Sequence, residues 1–598
     1  MIAEVFPNLR LPRRFSFFDY KIPDSMTVAV GDLVAIPFRG REIIGLVAHT
    51  KETSAERKLS QLANVVHRSW CEPEDIVRLE TIARAIVQSP ASLFHGIFDG
   101  VGTSDAKQNY IRLLYNSLSV KKIDVEQVGE ILKSPDRVQT VFGDKVLGAV
   151  LASALVKTTT GQCLFLVPTE KDAKDLQTAI KSSVVYHGHI KPRDRASIAR
   201  AWHEGKIRIL VGTRGASLIP AHELSAVVVL DSANDEHAST RRNPRFDARE
   251  AVKLLASQHS ARLFFVDPLP RLEELAPSLP AVRARLASPP SFQIIDLRNA
   301  LLRSDDPLLT EPLLEGIESA LQSGKKVLLF LNRKGVAKRL QCGACGHIPL
   351  CGTCGNVPSV RLDDLVCDRC GTEMWIPKNC PACGKAKLAM KGIGGAKIAE
   401  ILRTRFSDAT VGQIEKGKIE NPYAPIVIVT EYFFSSFLDP FKHLNLGLVA
   451  DLAGDMGIHG ADFRGAEKTA RKLHRLLAFA KRENANCILQ TWLPDVLTPM
   501  LNLDTFIKDE LELRQRYQLP PFSSRYVLEG AKIGELPEAL RSIAREHDET
   551  VEIRPLVTSG CDPTPSNPLS PSLTLLPDSV KITLDGPYEI PPRSPQPE

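Results

Sequence analysis

Eight of the chain's twelve cysteines are concentrated in one short stretch, and their spacing is typical of a metal site. They form four C-x-x-C pairs: Cys342/Cys345, Cys351/Cys354, Cys367/Cys370 and Cys380/Cys383. Two thiolates at this spacing can share one tetrahedral Zn²⁺, and each pair is followed by a glycine, which tolerates the turn conformation. Four pairs predict two zinc ions in closed Cys₄ sites, which are structural and not catalytic. Spacing alone allows a sequential or a nested combination of the pairs.

Length and composition limit the class of protein. At 598 residues the chain is long enough for about four domains, and 43% hydrophobic with 24% charged residues excludes a fibrous or wholly disordered chain. A net charge of +6 permits nucleic-acid binding without arguing for it. The longest uncharged apolar run, Val146–Val156, is too short to cross a bilayer, and residues 1–15 hold no apolar signal core. We therefore expect a cytoplasmic protein without membrane contact, in which paired cysteines are metal ligands.

Apolar patterns divide the chain into several units. In the first 70 residues, short apolar stretches alternate with turn residues and predict a small β-rich unit. From residue 73 the apolar spacing is helical, with Ile76, Leu79, Ile82, Ala83 and Ile86 on one face. Beyond residue 141 two series of continuous apolar runs predict two α/β lobes, each with a parallel sheet covered on both faces. The runs are Cys163–Val167, Ile207–Val211, Ala226–Leu230, Leu263–Val266, then Phe292–Ile295, Val327–Leu331, Ile426–Val429 and Leu446–Ala450.

The cysteine stretch interrupts the second series and is therefore predicted to be an insertion into the second lobe. Leu519-Pro520-Pro521 marks a boundary, after which a shorter C-terminal unit follows. Ten of the 42 prolines lie between Pro563 and Pro597, which predicts a flexible tail, although Val580–Leu584 has the pattern of a strand.

Several short segments, in one order along the chain, resemble a known family. They are Phe18-Asp19-Tyr20 with Gly31-Asp32, residues 202–220 (WHEGKIRILVGTRGASLIP), Asn332-Arg333-Lys334-Gly335, residues 461–467 (ADFRGAE) and the stretch from Glu512 and Arg514 to Pro521. Together with the four inserted C-x-x-C pairs, they resemble the PriA replication-restart helicase family, also called primosomal protein N′. The resemblance covers residues from about 5 to 525.

The resemblance implies a multidomain α/β protein with two RecA-like helicase lobes and a zinc-binding insertion. The implied units are a 3′-DNA-end-binding domain (1–70), a winged-helix-like domain (71–135), lobe 1 (136–285), lobe 2 (286–340 and 385–520), a zinc-binding module (341–384) and a C-terminal domain with a Pro-rich tail (521–598). The implied partners are forked or branched DNA, single-stranded-DNA-binding protein and primosome or helicase-loading proteins.

The resemblance also implies roles for particular residues. The zinc pairs would be nested, with Cys342, Cys345, Cys380 and Cys383 on one ion and Cys351, Cys354, Cys367 and Cys370 on the other. Phe18, Asp19 and Tyr20 would bind the DNA end, because an aromatic ring can stack on the terminal base while a carboxylate accepts a hydrogen bond from the free 3′-hydroxyl. The lysine that assists this pocket in the family has no evident counterpart near Leu62-Ala63-Asn64.

The phosphate-binding loop of the family is missing. A RecA-like motor needs G-x-x-x-x-G-K-[ST], whose backbone N–H groups, lysine and hydroxyl hold the phosphates and Mg²⁺. The chain contains no Gly-Lys-Ser or Gly-Lys-Thr, and residues 141–148 (VFGDKVLG) stand where the loop is expected. Lys145 is a candidate remnant, but Val146 replaces the hydroxyl. The sequence therefore offers no intact site for ATP and Mg²⁺.

Three further nucleotide motifs are eroded. In place of the D-E-x-H box the chain has Asp231-Ser232, and Asp235-Glu236-His237 restores the letters four residues later, beyond the strand end. In the sixth motif Phe479 replaces the first arginine, so that Arg482 alone is expected to remain, and Thr430-Glu431 with Ser435-Ser436 replaces the motif before it. We expect no ATP-driven unwinding and assign no catalytic residue.

Two other functions stay open. One is an active ATP-dependent 3′-to-5′ helicase that uses an unconventional site of Lys145, Asp231, Asp235 and Glu236. The other is a zinc-ribbon module that binds RNA or protein and is unrelated to replication. His187-Gly188-His189 looks like a metal pair but is assigned no metal, and Trp202, Trp375 and Trp492 are expected to be packing residues.

Overall fold

The computed structural model describes most of the chain. The described residues are 1–54, 59–98, 122–239, 244–275, 291–300, 308–331, 339–353, 358–361, 364–367, 372–386, 388–391, 395–415, 417–434, 445–458, 463–523, 525–541, 544–547, 550–553, 573, 576 and 580–585. The predicted motif Asn332–Gly335, together with Ala461, Asp462, Ser435 and Ser436, lies outside these ranges. Across the described residues, no helix combines the length and the apolar character that a membrane span requires.

The N-terminal residues form an antiparallel sheet with the strand order β2-β1-β4-β3-β5. Its inward face is apolar and fully buried at Val5, Val34 and Val47, as the predicted β-rich unit requires. The strands are β1 (Ile2–Pro7), β2 (Phe18–Lys21), β3 (Leu33–Phe38), β4 (Arg41–Lys51) and β5 (Asn64–His67).

Three helices follow: α1 (Pro73–Ala85), α2 (Pro90–Phe98) and α3 (Lys122–Lys133). Ile76, Leu79, Ile82 and Ala83 of α1 are buried as their spacing predicts, in a cluster that also holds side chains of lobe 1. Residues 99–121, in the range predicted as winged-helix-like, lie outside the described residues. The unit boundaries stay predictions.

Lobe 1 is a six-stranded parallel sheet in the order β6-β11-β10-β7-β9-β8. The central strand β7 is buried along its whole length and β10 at every residue except Ser225, which explains their continuous apolar sequence. The strands are β6 (Val138–Phe142), β7 (Gln162–Leu166), β8 (Val184–Tyr186), β9 (Ile209–Gly212), β10 (Leu224–Leu230) and β11 (Arg262–Asp267), and the helices are α4 (Lys145–Thr158), α5 (Glu170–Ala179), α6 (Pro192–His203) and α7 (Ala248–Gln258).

Lobe 2 is a seven-stranded sheet, parallel except for one antiparallel edge strand, in the order β12-β23-β22-β13-β21-β19-β20. The elements before the cysteine module are β12 (Phe292–Asp296), α8 (Leu297–Ala300), α9 (Glu311–Gln322) and β13 (Lys326–Phe330). Those after it are α10 (Gly395–Arg405), β19 (Val411–Glu415), β20 (Lys418–Glu420), β21 (Ile426–Val429), β22 (Leu446–Asp451), α11 (Gly465–Glu483), β23 (Asn486–Thr491), α12 (Pro494–Met500) and α13 (Leu503–Arg516).

The cysteine module is inserted between β13 and α10, as the sequence predicts. A two-stranded ribbon forms its base, and a three-stranded antiparallel sheet lies beyond the ribbon. The ribbon is β14 (Arg339–Cys342) with β18 (Leu388–Lys391), and the sheet is β15 (Ser359–Arg361), β16 (Asp364–Val366) and β17 (Glu373–Trp375).

The C-terminal unit is a four-stranded antiparallel sheet in the order β25-β26-β24-β27. The predicted strand in the tail is present as β27, one residue later than its expected start. The elements are β24 (Arg525–Glu529), α14 (Glu538–Arg541), β25 (Ala544–His547), β26 (Thr550–Ile553) and β27 (Lys581–Asp585). Short 3₁₀ helices connect elements at Arg214–Leu218, Asp235–His237, Leu272–Glu274, Glu431–Phe434, Gly454–Gly457 and Ile533–Glu535.

The three tryptophans predicted to pack in the interior differ in burial. Trp202 and Trp492 are buried, in agreement with the prediction. Trp375, on β17 of the cysteine module, is 85% exposed, so the prediction is wrong for this residue. A three-stranded sheet of three-residue strands has no interior large enough to cover an indole.

Candidate functional site

The interlobe cleft, between the carboxyl ends of β6 and β10 in lobe 1 and helix α11 in lobe 2, is where a RecA-like protein would hold nucleotide. A β-strand, a short turn and the start of α4 reproduce the phosphate-loop topology at Gly143-Asp144-Lys145. Asp144 is the N-cap of α4, and its carboxylate accepts a hydrogen bond from the Leu147 N–H at 3.0 Å. A helix N-terminus favours an anion, and here the chain supplies that anion itself.

Lys145, the candidate remnant of the phosphate-loop lysine, is held by two carboxylates of its own lobe. Its Nζ lies 2.8 Å from Asp172 Oδ1 and 3.7 Å from Asp231 Oδ2. Asp172 is completely buried and also accepts a 2.6 Å hydrogen bond from the Thr169 hydroxyl. The ammonium group that would bind phosphate oxygens is therefore paired internally.

Asp231, at the end of β10, is paired across the cleft with lobe 2. Arg475 Nη2 lies 2.5 Å from Asp231 Oδ1, and Asn234 donates to Asp231 Oδ2 at 2.8 Å. Burial alone would raise the pKa of Asp231, but Arg475 and Lys145 hold it well below its usual range. Asp231 also has a φ of 52°, a left-handed conformation that is uncommon outside glycine. Asp231, which stands at the first position of the D-E-x-H box, therefore balances two cations of the chain.

Ser232 and the displaced D-E-H letters take no part in this cluster. Ser232 is buried, and its hydroxyl donates to Glu274 Oε2 at 3.3 Å. Asp235 and Glu236 have side chains 71% and 64% exposed, and their ion-pair partners are Lys468 at 3.0 Å and Arg214 at 3.6 Å. Of the rival site's residues, Lys145 and Asp231 approach each other while the other two carboxylates are engaged elsewhere.

Arg482 is the motif arginine that remains, and helix α11 brings two further arginines to lobe 1. Arg475 pairs with Asp231, Arg471 donates to the Ala233 carbonyl, and Arg482 Nε lies 2.6 Å from Asp144 Oδ2. Spacings of four and seven residues put all three on one side of a helix. Phe479 packs at 5.6 Å from Phe433, measured between ring centroids. A letter-by-letter comparison with the motif does not reveal that these three arginines share one face of the helix.

A second group of charges, which we call the signature cluster, lies deeper between the lobes. Arg514 Nη2 is 2.6 Å from Glu467 Oε2, and Arg464 Nη1 is 2.6 Å from Glu273 Oε1 of lobe 1. The Leu272 N–H donates to Glu467 Oε1 at 3.1 Å, which adds a direct lobe 1 to lobe 2 hydrogen bond. The cluster consists of Glu273, Arg464, Glu467, Glu510 and Arg514, and so contains residues of two of the family-like segments.

The N-terminal pocket contains the predicted DNA-binding residues on β2. Phe18 lies in a row of aromatic rings, 6.2 Å from Phe15 and 5.6 Å from Phe38 between centroids. Tyr20 is buried, and its hydroxyl donates to the Pro37 carbonyl at 3.2 Å, so its ring supports the sheet. Phe18 and Asp19 stay partly exposed. The pocket thus offers one partly exposed aromatic ring and one carboxylate to a ligand.

Lys51 is a charged neighbour of Asp19 that the sequence analysis did not predict. Its Nζ lies 2.8 Å from Asp19 Oδ2 and 2.6 Å from Glu4 Oε1, and Ser54 also donates to Asp19. Hydrogen bonds to Asp19 and then Glu4 raise the pKa of Lys51. The antiparallel pairing of Glu4 with Asp19 and of Ile2 with Lys51 brings these groups together. A predicted pairing register for β1, β2 and β4 would have placed Lys51 beside Asp19.

Four cysteine thiols from the two ends of the module converge. Cys342, Cys345, Cys380 and Cys383 have Sγ atoms within 4.8 Å of one another, with 3.7 Å between Cys342 and Cys383. Two knuckles position them: the Gly346 N–H donates to the Cys342 carbonyl and the Gly384 N–H to the Cys380 carbonyl, both at 2.9 Å. Both glycines have a positive φ, which their lack of a Cβ permits.

The electrostatics of this cluster fit a divalent cation. Although burial opposes ionisation, N–H groups of Ala344 and Cys345 lower the pKa of Cys342 to about 7. Burial raises the pKa of Cys345 to about 12, with neighbouring thiols adding to the shift. Four thiols this close cannot all ionise without a compensating cation, and Zn²⁺ with thiolate ligands provides that compensation.

The second predicted zinc site is described only in part. Cys351 and Cys367 are buried, while Cys354 and Cys370 lie outside the described residues. The Cys367 N–H donates to the Thr372 carbonyl at 2.9 Å, as the Cys342 N–H donates to the His347 carbonyl at 2.8 Å and the Cys380 N–H to the Lys385 carbonyl at 3.0 Å. The second Cys₄ site stays a prediction.

His187 and His189 gather around Glu170, the first residue of α5. His189 Nδ1 lies 2.5 Å from Glu170 Oε2, and His187 Nε2 lies 3.6 Å from Oε1. His187 Nδ1 accepts a hydrogen bond from the His189 N–H at 3.2 Å. A neutral imidazole that accepts at Nδ1 carries its proton on Nε2, which therefore faces the carboxylate as a donor. Both imidazoles of this loop thus contact the Glu170 carboxylate.

Comparisons with known proteins agree with this architecture. A family model described as the 3′ DNA-binding domain (3′BD) of PriA matches residues 8–97. The protein called replication restart protein PriA in Rickettsia felis is 25% identical over 580 residues, covering 88% of this chain and 87% of that protein. Its namesake in Haemophilus influenzae is 28% identical, over 64% of this chain and 55% of that protein. Its namesake in Bacillus subtilis is 26% identical, over 56% and 45%.

Among solved structures, helicases resemble the chain distantly. The helicase Lhr of Mycobacterium smegmatis, bound to ssDNA and AMP-PNP, is 11% identical with a TM-score of 0.32, over 73% of this chain and 59% of that one. The E. coli DExH-box NTPase HrpB is 14% identical with a TM-score of 0.34, over 63% and 42%. These scores are too low to support a functional inference.

Proposed function

Because this chain belongs to the PriA family of replication restart proteins, we propose that it binds stalled or branched replication forks and helps to reload the replication machinery without ATP-driven unwinding. The N-terminal domain is the DNA-binding part. Beyond family membership, we propose that the two lobes act as a scaffold and contain no catalytic residue.

The observation that carries the proposal is the charge balance of the interlobe cleft. Lys145 is paired with Asp172, and Asp231 with Arg475, while Asp144 occupies the start of α4. Phosphoryl transfer depends almost entirely on positioned donors, cations and metal ligands. Removal of one such donor costs about 10²–10³ in rate, and here the phosphate cradle, the Mg²⁺ hydroxyl and the water-polarising glutamate are all replaced.

The DNA end would bind in the N-terminal pocket. Phe18 supplies a ring for the terminal base, and Asp19 supplies an acceptor for the 3′-hydroxyl, with Lys51 at 2.8 Å to position the carboxylate. Arg14 and Arg39, which lie over the rings of Phe15 and Phe38, would contact the adjacent phosphates.

The cysteine module would carry two zinc ions in the nested arrangement. The described Cys₄ cluster supports the outer ion, held by Cys342, Cys345, Cys380 and Cys383. The inner ion, held by Cys351, Cys354, Cys367 and Cys370, rests on the spacing and on the family resemblance. We place the protein in the cytoplasm and expect single-stranded-DNA-binding protein and helicase-loading proteins as its partners.

A paired assay tests the proposal. Purified protein is mixed with forked DNA carrying a free 3′-hydroxyl, and binding, ATP hydrolysis and strand separation are measured in the same buffer, since salt controls DNA affinity. We expect fork binding with no DNA-stimulated hydrolysis and no unwinding.

The controls separate the proposal from its rival. DNA-stimulated hydrolysis that disappears in Lys145→Ala and Asp231→Ala, but persists in Lys133→Ala, would establish an unconventional active site. Lys133 is a suitable control because its pair with Glu130 is exposed on α3. RNA binding in preference to forks would instead favour a module unrelated to replication.

A further inference from the structure

Oppositely charged side chains connect the two lobes in two separate layers, and both layers are made by the chain alone. We propose that these ion pairs hold the lobes in one engaged arrangement at all times, so that the DNA-facing surface has a single conformation that needs no nucleotide. The inference goes beyond the absence of ATP turnover, because a cleft without nucleotide could equally leave the lobes free to separate.

The first layer lies at the mouth of the cleft. Arg482 of α11 contacts Asp144 at 2.6 Å and Asp124 at 3.1 Å, which joins lobe 2 to the start of α4 and to α3. Arg475 contacts Asp231 at 2.5 Å and lies 3.9 Å from Asp267. The carboxylates of Asp124, Asp144 and Asp231 present negative charge to lobe 2, as the phosphates of a nucleotide would.

The second layer is the signature cluster. Arg514 of α13 is fully buried, 2.6 Å from Glu467 and 3.6 Å from Glu273 of lobe 1. Arg464 is 2.6 Å from the same Glu273, so one lobe 1 carboxylate is shared by two lobe 2 arginines. Burial keeps these pairs from being screened by salt, in contrast to pairs at the surface.

The two layers act in the same direction. In a nucleotide-driven motor, the lobes engage when phosphate charge attracts arginines across the cleft and separate when that charge leaves. Here the attracting charge is covalently part of lobe 1 and cannot leave. A ligand shifts the equilibrium between engaged and separated lobes only if it binds one of the two states more tightly. Because the charged groups of the cleft are already paired with each other, ATP would bind both states weakly and would not shift the equilibrium.

Single-molecule energy transfer on the full-length protein tests the inference. Non-canonical residues for click labelling replace Lys157 of lobe 1 and Glu318 of lobe 2, both exposed, so that the cysteines stay untouched. We expect one narrow transfer-efficiency population that is unchanged by ATP with Mg²⁺, by a non-hydrolysable analogue and by their absence. Two populations without nucleotide, or a shift on adding it, would overturn the inference.

Variants identify the groups responsible. Arg482→Ala should broaden the population and Arg475→Ala with Arg482→Ala should broaden it further, while Lys133→Ala should leave it narrow. Arg475→Lys, which keeps the charge and perturbs folding less, should give an intermediate width, and circular dichroism with zinc content verifies that each variant is folded. A double variant that is folded and as narrow as the parent would contradict the inference.

The same samples keep this inference separable from the proposed function. Nucleotide turnover with an unchanged distance distribution would contradict the proposed function and leave the fixed arrangement standing. A distance that changes with nucleotide, whether or not turnover occurs, would overturn the fixed arrangement.

Discussion

The N-terminal pocket and the interlobe cleft are built around the same contact in different surroundings. Lys51 Nζ lies 2.8 Å from Asp19, and Lys145 Nζ lies 2.8 Å from Asp172. Lys51 has a side chain 33% exposed, whereas Lys145 is 14% exposed and its partner Asp172 is fully buried. The pocket opens towards solvent, and the cleft is enclosed by a second lobe.

Under the proposed function, this difference explains how one chain would keep a DNA-binding site and lose a nucleotide-binding site. In the pocket, water or a ligand can replace part of the pairing at small cost, because the Lys51 side chain remains partly solvated. In the cleft, a ligand would have to displace buried pairs and leave a charge without its partner, which is strongly unfavourable. A charge pair alone therefore does not identify a binding site. Whether a ligand can bind there depends on how accessible the pair is to solvent.

The largest effect is expected where the lobe contact is most buried. Arg514→Met should lower the free energy of unfolding by about 3–5 kcal/mol, because it leaves buried carboxylates, including Glu467 and Glu510, without their cation. Urea denaturation followed by circular dichroism measures the change. Lys508→Ala, on the same helix with an exposed pair to Glu512, is the matched control and should change stability by at most about 0.5 kcal/mol. Similar values for both variants would mean that the signature cluster does not hold the lobes.

In the cysteine cluster, unlike the pocket and the cleft, the negative charge of the thiolates must be balanced by a bound metal ion. We expect two zinc ions per chain, with Cys342→Ser and Cys351→Ser each losing one and each loosening the module, since structural zinc contributes folding free energy directly. Elemental analysis of protein purified without chelator measures the count. Cys163→Ser, at a buried cysteine of β7, should retain both ions. One ion or none in the unmodified chain would contradict the prediction.

A smaller effect is expected in the N-terminal pocket. The unmodified protein should prefer forks with a 3′-hydroxyl over forks with a 3′-phosphate, and Asp19→Asn should reduce that preference by about 10-fold, the equivalent of one charge-assisted hydrogen bond of about 1.4 kcal/mol. Fluorescence anisotropy at one salt concentration measures both affinities. Glu4→Gln removes the charge of the other partner of Lys51 without altering Asp19, the proposed acceptor, and should retain the preference. Equal affinity of the unmodified protein for both ends would disprove the assignment.

The smallest effect concerns the pH dependence of the cleft. Burial, followed by the charge of Asp231, raises the pKa of Asp267 to about 7, while Arg471 and Arg475 oppose the shift. Because the folded state holds this proton more tightly than the unfolded state, the stabilisation is present at low pH and is lost as the pH rises towards and through 7. Relative to Asp267→Asn, the unmodified protein should therefore lose unfolding free energy between pH 5 and 8. Parallel curves for the two proteins would exclude this coupling.

Much of the architecture could be predicted from local sequence. The continuous apolar runs of both lobes became parallel strands, for example Ala226–Leu230 within β10 and Ile426–Val429 as β21. A strand buried on both faces requires such a run, so the pattern and the structure share one physical cause. The cysteine insertion could also be predicted from the sequence, because the spacing of the thiolates and the glycine that follows them are local properties of a metal knuckle.

Motif matching failed where partners come from distant parts of the chain. Arg475 was not predicted to cross the cleft, Lys51 was not predicted beside Asp19, and Trp375 was expected in an interior that its small sheet cannot form. Each outcome depends on which surfaces face each other, and a sequence motif contains no information about the opposite surface.

The sequence by itself determined the erosion of the nucleotide motifs, because a missing Gly-Lys-Ser or a serine in place of a glutamate is visible in the letters. Only the tertiary structure shows which side chains pair with the charged groups at these positions. Asp144, Asp172 and Asp231 lie far apart along the chain, and they meet Lys145 and the arginines of α11 only because parallel strands end at one edge and a second lobe packs against it. Charge pairing acts through space, so the cleft's balance is a property of the fold.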